Sequence, residues 1–337
     1  MVFLQHGVPG TLGRFRPFGA SLVRAPLLAM ALFVSTPAIA RAEAETRAPI
    51  CAIDMGSNSF KRIVGFFEEG QYEQRSLEKK TLGVGDDLAR NGRVSDAKLA
   101  EIEQTLSAFK AACAKEGAGR VLAIGTAAFR EAPNGARAVE IAAKLGIPME
   151  IASERRESEL AYLVGSLGRG GYAVIDNGSR SIELVSQVAA QEPRHAVFNL
   201  GYRIAYQKFF AAADDPGKAV AAFQDALRPE AAKAPFMKGM QRLVGVEFEE
   251  MAEVLFPPAE TEGRIFTLAA LKQRLDEIAT SGPEAFEALK QQEDIDRALP
   301  RLVVAANFVE AFGYAGFELT ARELGTGLII EAGLQPL

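Results

Sequence analysis

Short apolar runs closed by small polar residues mark strands along this chain, and longer stretches with apolar residues three or four apart mark helices. Ile50-Cys-Ala-Ile-Asp54 is a run of the first kind, stopped by Met55-Gly56-Ser57-Asn58-Ser59 before strand-like material resumes from Phe60 to Phe67. The pattern predicts a strand, a tight polar turn and a second strand. From Ser95 to Lys115 the residues Leu99, Ile102, Leu106, Phe109 and Cys113 follow helical spacing behind a Ser95 cap. Arg120 to Gly125 then reads as a buried strand, Ala136 to Leu145 as a helix, Met149 to Ala152 as a strand and Glu154 to Leu167 as a helix. At this point the pattern restarts. Tyr172-Ala-Val-Ile-Asp176 is again a strand ending in Asp, followed by Asn177-Gly-Ser-Arg-Ser181 and a strand from Ile182 to Val185. Asp215 to Ala311 reads as strongly helical, Phe317 to Thr320 as a strand, Gly325 to Gly327 as a turn and Leu328 to Ala332 as a closing helix.

The chain has 337 residues, 48% of them hydrophobic and 24% charged, which excludes a disordered, fibrous or multispanning membrane protein. Residues 1–40 hold Arg14, Arg16 and Arg24, no acid, an apolar stretch from Ala25 to Val34 and the small-residue triplet Ala38-Ile39-Ala40. This is the layout of a secretory signal peptide, so the protein is expected to be exported, to the periplasm, with no stable membrane anchor after cleavage. What remains suits two domains, 48–168 and 169–337, the second with a helical elaboration. A net charge of −5 gives no compositional support for gripping nucleic acid. The two histidines, His6 and His195, exclude sites built from several imidazoles. Cys51 and Cys113 are expected as buried free thiols, with a bridge as the alternative that export would permit.

The repeated hairpins carry the candidate chemistry. An Asp at a strand end beside a turn rich in Gly and Ser offers a carboxylate to a hard cation and backbone N–H groups to phosphate oxygens. Asp54 with Gly56, Ser57, Asn58 and Ser59 is the fuller version. Asp176 with Gly178, Ser179, Arg180 and Ser181 is the weaker, because Ser179 and Arg180 have side chains where close backbone approach is easiest for glycine. Two such hairpins suggest related α/β halves facing across a cleft. Tyr206, Phe209 and Phe210 read as core at helical spacing, and His195 as a surface residue.

The run Ala52-Ile-Asp-Met-Gly-Ser-Asn-Ser-Phe60, with Leu82 to Gly85 and Asn91 to Ser95, resembles the exopolyphosphatase/guanosine pentaphosphate phosphohydrolase (Ppx/GppA) family. So do Gly125 to Ala132, Ser153 to Tyr162, Val174 to Glu183, Asn199 to Gly201 and, more loosely, Arg297 to Gly327. The resemblance implies an α/β fold of two actin-like (ribonuclease H-like) domains, of the ASKHA superfamily, facing across a phosphate-binding cleft. It also implies a hydrolase that uses Mg²⁺ or another divalent cation to release terminal phosphate from inorganic polyphosphate or a phosphorylated nucleotide. The family's catalytic glutamate carries over to Glu157, its phosphate-contacting arginine to Arg130, and its metal-associated acids to Asp54, Asp176 and Glu183.

The chain departs from the family's pattern at several places. Arg156 stands where a second glutamate is usual, Gly178-Ser179-Arg180-Ser181 replaces a triple-glycine loop, and Lys61-Arg62 and Gly325-Thr326 are also atypical. These departures keep a second reading open, a catalytically weakened protein of the same fold that binds polyphosphate or a nucleotide. Export favours inorganic polyphosphate over a cytoplasmic nucleotide. The helical segment could supply a homodimer surface, and Leu167 to Gly171 a hinge.

Overall fold

The computed structural model describes residues 48–188 and 191–335, so the leader read from residues 1–40 lies outside the described residues. Among the described residues no helix is long and apolar enough to cross a membrane.

A five-stranded sheet has the order β3-β2-β1-β4-β5. Its strands are β1 (Ile50–Met55), β2 (Ser59–Glu68), β3 (Gln71–Thr81), β4 (Arg120–Gly125) and β5 (Met149–Ile151). β1, β2 and β3 run antiparallel to their neighbours, whereas β4 and β5 are added in parallel. Helices α1 (Val84–Asn91), α2 (Asp96–Lys115), α3 (Ala127–Glu131) and α4 (Ala136–Lys144) fill the crossovers. Ser95 caps α2 as its sequence position predicts, its hydroxyl accepting from the Lys98 N–H at 3.2 Å.

The second sheet repeats this plan. β6 (Tyr172–Asn177), β7 (Ile182–Gln187) and β8 (Arg194–Phe198) form the antiparallel meander, and β9 (Arg242–Val246) and β11 (Gly316–Thr320) join in parallel. β10 (Ile265–Thr267) is added at the outer edge. Two sheets with the order 3-2-1-4-5 are the doubled ribonuclease H-like plan of the actin-like fold. The central strands β1 and β6 share one burial pattern, every residue but the first being buried, as strands covered on both faces require.

The reading of Asp215 to Ala311 as helical is corrected. It holds α7 (Pro216–Lys233), α8 (Glu249–Leu255), α9 (Leu268–Ala279), α10 (Pro283–Lys290) and α11 (Ile295–Phe312), but β9 and β10 lie within it. β9 is a five-residue run between apolar helices, too short for periodicity to separate from them. Its Gly245 is fixed by packing, since a Cβ there would stand 2.6 Å from the Phe317 ring. Tyr206–Phe210, after the short helix α6 (Tyr202–Ala205), forms a π-helical turn, with Phe210 fully buried.

Helix α5 (Glu154–Ser166) packs on both sheets. Leu160 and Ala161 join Ala52, Ile63 and Ile124, while Tyr162 and Val164 join Val174, Val185, Val244 and Val246. The last helix, α12 (Thr326–Leu334), returns to the first sheet, with Gly327 against Leu160 and Gly333 against Phe67. The expectation of free thiols is also corrected. Cys51 on β1 and Cys113 on α2 are joined, with Cα atoms 5.9 Å apart. Their separation of 62 residues is not a sequence signal, because the pairing depends on α2 laying its apolar face over β1. Closing a loop of that length removes about 4 kcal/mol of unfolded-chain entropy.

Candidate active site

Each sheet ends its first strand in a braced turn. In the first, the Gly56 N–H donates to the Ser59 carbonyl at 3.1 Å. The N–H groups of Leu82 and Gly83 donate to the Asn58 carbonyl, and that of Gly85 to the Ser57 carbonyl at 2.7 Å. The entry to α1 therefore holds the turn, and Gly85 packs closely on it, since a Cβ there would stand 3.2 Å from Ser57. In the second turn the N–H groups of Gly201, Tyr202 and Arg203 donate to the carbonyls of Arg180, Gly178 and Ser179 at 3.0–3.1 Å. A Cβ on Gly201 would lie 2.4 Å from the Ser181 nitrogen, so only glycine permits this contact. In both halves the N–H groups at the entry to a helix brace the carbonyls of the turn, although the individual bonds and the loops that supply them differ.

Between the turns lies a cavity of about 110 Å³. It is lined by Asp54, Gly56, Ser57, Asn58, Ser59, Glu157, Asp176, Gly178, Ser179, Arg180, Ser181 and Glu183, so these sequence-predicted positions come together. Arg130 stands behind Glu157, donating to its carboxylate and to the Ala152 carbonyl at 2.7 Å. Arg156 and Arg155 turn away from the cavity. Arg156 makes a bidentate pair with Glu331 at 2.6 Å, and Arg155 bonds Glu159 at 2.8 Å. Arg180 reaches across to Glu131 at 2.7 Å, and His195 lies exposed on β8.

Lys61, Lys79, Tyr202, Glu247, Glu250 and Arg297 also line the cavity and were not singled out as site residues. Strand alternation could have found Lys61, two residues beyond Ser59 on the same face of β2. Glu247 and Glu250 follow β9, inside the stretch read as helix, and carried no usable signal.

Register sets the electrostatics. Asp54 faces Lys61 across the first hairpin, and Asp176 faces Glu183 at the same place in the second. Burial pushes Asp54 up to about 7, although Lys61 pulls the other way. Burial opposes the Lys61 charge too, but Glu247, Glu323 and Asp54 outweigh it and hold this ammonium well above its ordinary value. Asp176 is raised well above the carboxylate range by burial, then by Glu247 and Glu183. Glu183 is pushed to about 8 by burial and by Glu157. Glu157 is raised by burial against the pull of Arg130. Glu247 lies below its ordinary value, because Lys61 and Arg301 together overcome its burial.

The donor set suits a hard cation at the second hairpin. Asp176 Oδ1 and Glu183 Oε1 are buried without a hydrogen-bond partner among the described residues, a costly arrangement that a cation would relieve. No three His, Cys, Asp or Glu side chains among the described residues are grouped closely enough to form a complete cage. A Mg²⁺-like ion fits such a site, since it takes one or two carboxylates and leaves its other positions to water and phosphate. Asp54, with a lysine as its register partner, sits in the more neutralised half.

The sequence model of the Ppx/GppA phosphatase family matches residues 69–315. The chain belongs to this family. Among solved structures, the Ppx/GppA family member of Aquifex aeolicus superposes with a TM-score of 0.74 at 20% identity, over 85% of this chain and 98% of that one. The type II variant of the Aquifex aeolicus Ppx/GppA phosphatase gives 0.71 at 20% identity, over 84% and 99%. An exopolyphosphatase from Cytophaga hutchinsonii gives 0.65 at 17% identity, over 84% and 98%. At these identities the structural likeness establishes the fold of this Ppx/GppA family member.

Proposed function

We propose that this family member is a metal-dependent phosphoanhydride hydrolase that releases terminal phosphate from inorganic polyphosphate. The observation that carries the reading is the assembly in one cavity of two braced Gly/Ser turns with the buried, Arg130-held carboxylate of Glu157. Family membership and the exopolyphosphatase from Cytophaga hutchinsonii support it.

The turns offer backbone N–H groups and hydroxyls to the oxygens of the terminal phosphate, prearranged by the bonds that brace them. Glu157, raised toward neutrality by its burial, accepts a proton from the attacking water, and Arg130 fixes the orientation of its carboxylate. A divalent cation bound at Asp176 and Glu183 would neutralise phosphate charge. Export to the periplasm, proposed from the leader, favours an inorganic chain over a nucleotide.

Arg180, occupied by Glu131 at the second turn, favours the alternative of a binding protein with weakened turnover. Phosphate release from long-chain polyphosphate with Mg²⁺ separates the two readings when Glu157→Gln is measured beside the unaltered protein. The hydrolase predicts a loss of about 10²- to 10⁴-fold in the variant. Tight polyphosphate binding with no release by either protein would establish the binder instead.

A further inference from the structure

Four residues other than glycine have left-handed backbone among the described residues: Glu69, Leu167, Glu247 and Asp294. Leu167 and Asp294 stand at helix ends and Glu69 in the turn between β2 and β3, and none of the three lines the cavity. Glu247 is different. It follows Val246, the β9 residue in register with Asp176, and lines the phosphate cavity with φ at 60°. Glycine adopts this conformation freely and glutamate disfavours it, so the strain places a side chain where the backbone alone would suffice.

That side chain behaves as an anion among phosphate-binding groups. Its Oε1 lies 3.2 Å from Lys61 Nζ and its Oε2 3.6 Å from Arg301 Nη2. Oε2 also comes within 4.0 Å of the place where a Cβ on Gly178 would stand, against the second turn. The carboxylate thus engages one cation from each half of the molecule, as the oxygens of a bound phosphate would. Lys61 is bonded to Glu323 as well, so its ammonium is held by two carboxylates, whereas Lys79, the other lysine on the cavity wall, lies exposed.

Resting on the polyphosphate reading above, we propose that Glu247 is a built-in anion that determines specificity, which a phosphate ligand must displace from Lys61. A long chain can spread its charge over Lys79, Arg180 and Arg297 as well, so it tolerates this competitor. A short anion seated beside Lys61 reaches fewer of these other cations and is bound less well. The cleft therefore discriminates by chain length through a residue that carries out no chemistry.

Calorimetric titration of pyrophosphate and of long-chain polyphosphate, without divalent cation, into the unaltered protein, Glu247→Gly and Glu247→Gln tests this. Both variants are expected to bind pyrophosphate roughly ten- to a hundred-fold tighter, the range of one freed charge-assisted contact, and long chains by much less. The preference for long chains then shrinks, which a merely structural role would not produce. Unchanged or weaker pyrophosphate binding in the variants, with long-chain binding intact in the unaltered protein, overturns the role of Glu247 alone. No binding of either ligand by any of the three proteins overturns the polyphosphate reading together with it. Glu247→Gly relieves a left-handed glutamate but removes a partner of Lys61 and Arg301, so thermal melts of both variants are recorded to show that they fold. Failure of both variants to fold would make Glu247 a structural clamp and overturn the proposal.

Discussion

The two hairpins share a backbone plan and differ in one charge. Opposite Asp54 the first carries Lys61, and opposite Asp176 the second carries Glu183. The first half thus places a cation near its acid, with Lys61 itself bonded to Glu247 and Glu323. The second half has been left with orphaned oxygens on Asp176 and Glu183. A duplicated fold repeats geometry cheaply, because hydrogen bonds and packing specify it, but side-chain charge at equivalent positions diverges freely. The proposed cation site would then belong to the second half alone, with the first half as a fixed wall of the cleft.

Making the first hairpin resemble the second should have the largest effect. Lys61→Glu would place a further acid beside Asp54, Glu247 and Glu323 and break a buried pair, a change that typically costs about 3–5 kcal/mol. Urea unfolding should show that loss, and a loss below about 1 kcal/mol would mean that the pairs of Lys61 with Glu247 and Glu323 contribute little to stability.

Next comes pH. Asp54 rises from an ordinary 3.8 to about 7 and Glu183 from 4.5 to about 8, so the folded protein binds these protons more tightly than the unfolded chain. Their stabilising contribution is complete below pH 4 and is lost as pH climbs through about 7 and 8. Glu247 has the opposite sign, since its depressed value makes its contribution disappear as pH falls below about 4.5. Without metal, thermal melts should therefore peak near pH 4 to 4.5 and decline until about pH 8. The decline between about pH 4.5 and 8 should flatten in Glu183→Gln, and an unchanged slope in that variant would contradict the assignment.

The smallest effect belongs to Arg180. Its pair with Glu131 is about 41% exposed on each side, so Arg180→Ala should change stability by no more than about 1 kcal/mol. The same variant should weaken polyphosphate binding measurably if this guanidinium leaves Glu131 for the ligand. Equal binding by variant and unaltered protein would place Arg180 outside the ligand's path.

What the sequence made legible follows from how local each signal is. The Asp-ended apolar runs at 50–54 and 172–176 with their Gly/Ser turns were readable, because burial on both faces and tight turning each demand particular residues nearby. The polar edge strand β3 and the short β9 offered no such demand, and β9 was hidden among helices whose composition it shares. At the site, Asp54, Glu157 and Asp176 stood out by position and family pattern. Lys61 mattered only once the register put it opposite Asp54, and Glu247 only once its backbone proved left-handed. The Cys51–Cys113 bridge likewise depends on a helix lying across a strand far away in sequence.

The most direct test of the asymmetry is the shift in melting temperature caused by Mg²⁺ at saturating concentration and pH 8.5, compared among the unaltered protein, Asp54→Asn and Asp176→Asn. Cation at a hundred times its dissociation constant should stabilise the unaltered protein by about 2.7 kcal/mol. The account predicts that Asp54→Asn keeps most of that shift and that Asp176→Asn loses it. Loss of the shift in Asp54→Asn, with retention in Asp176→Asn, would contradict it.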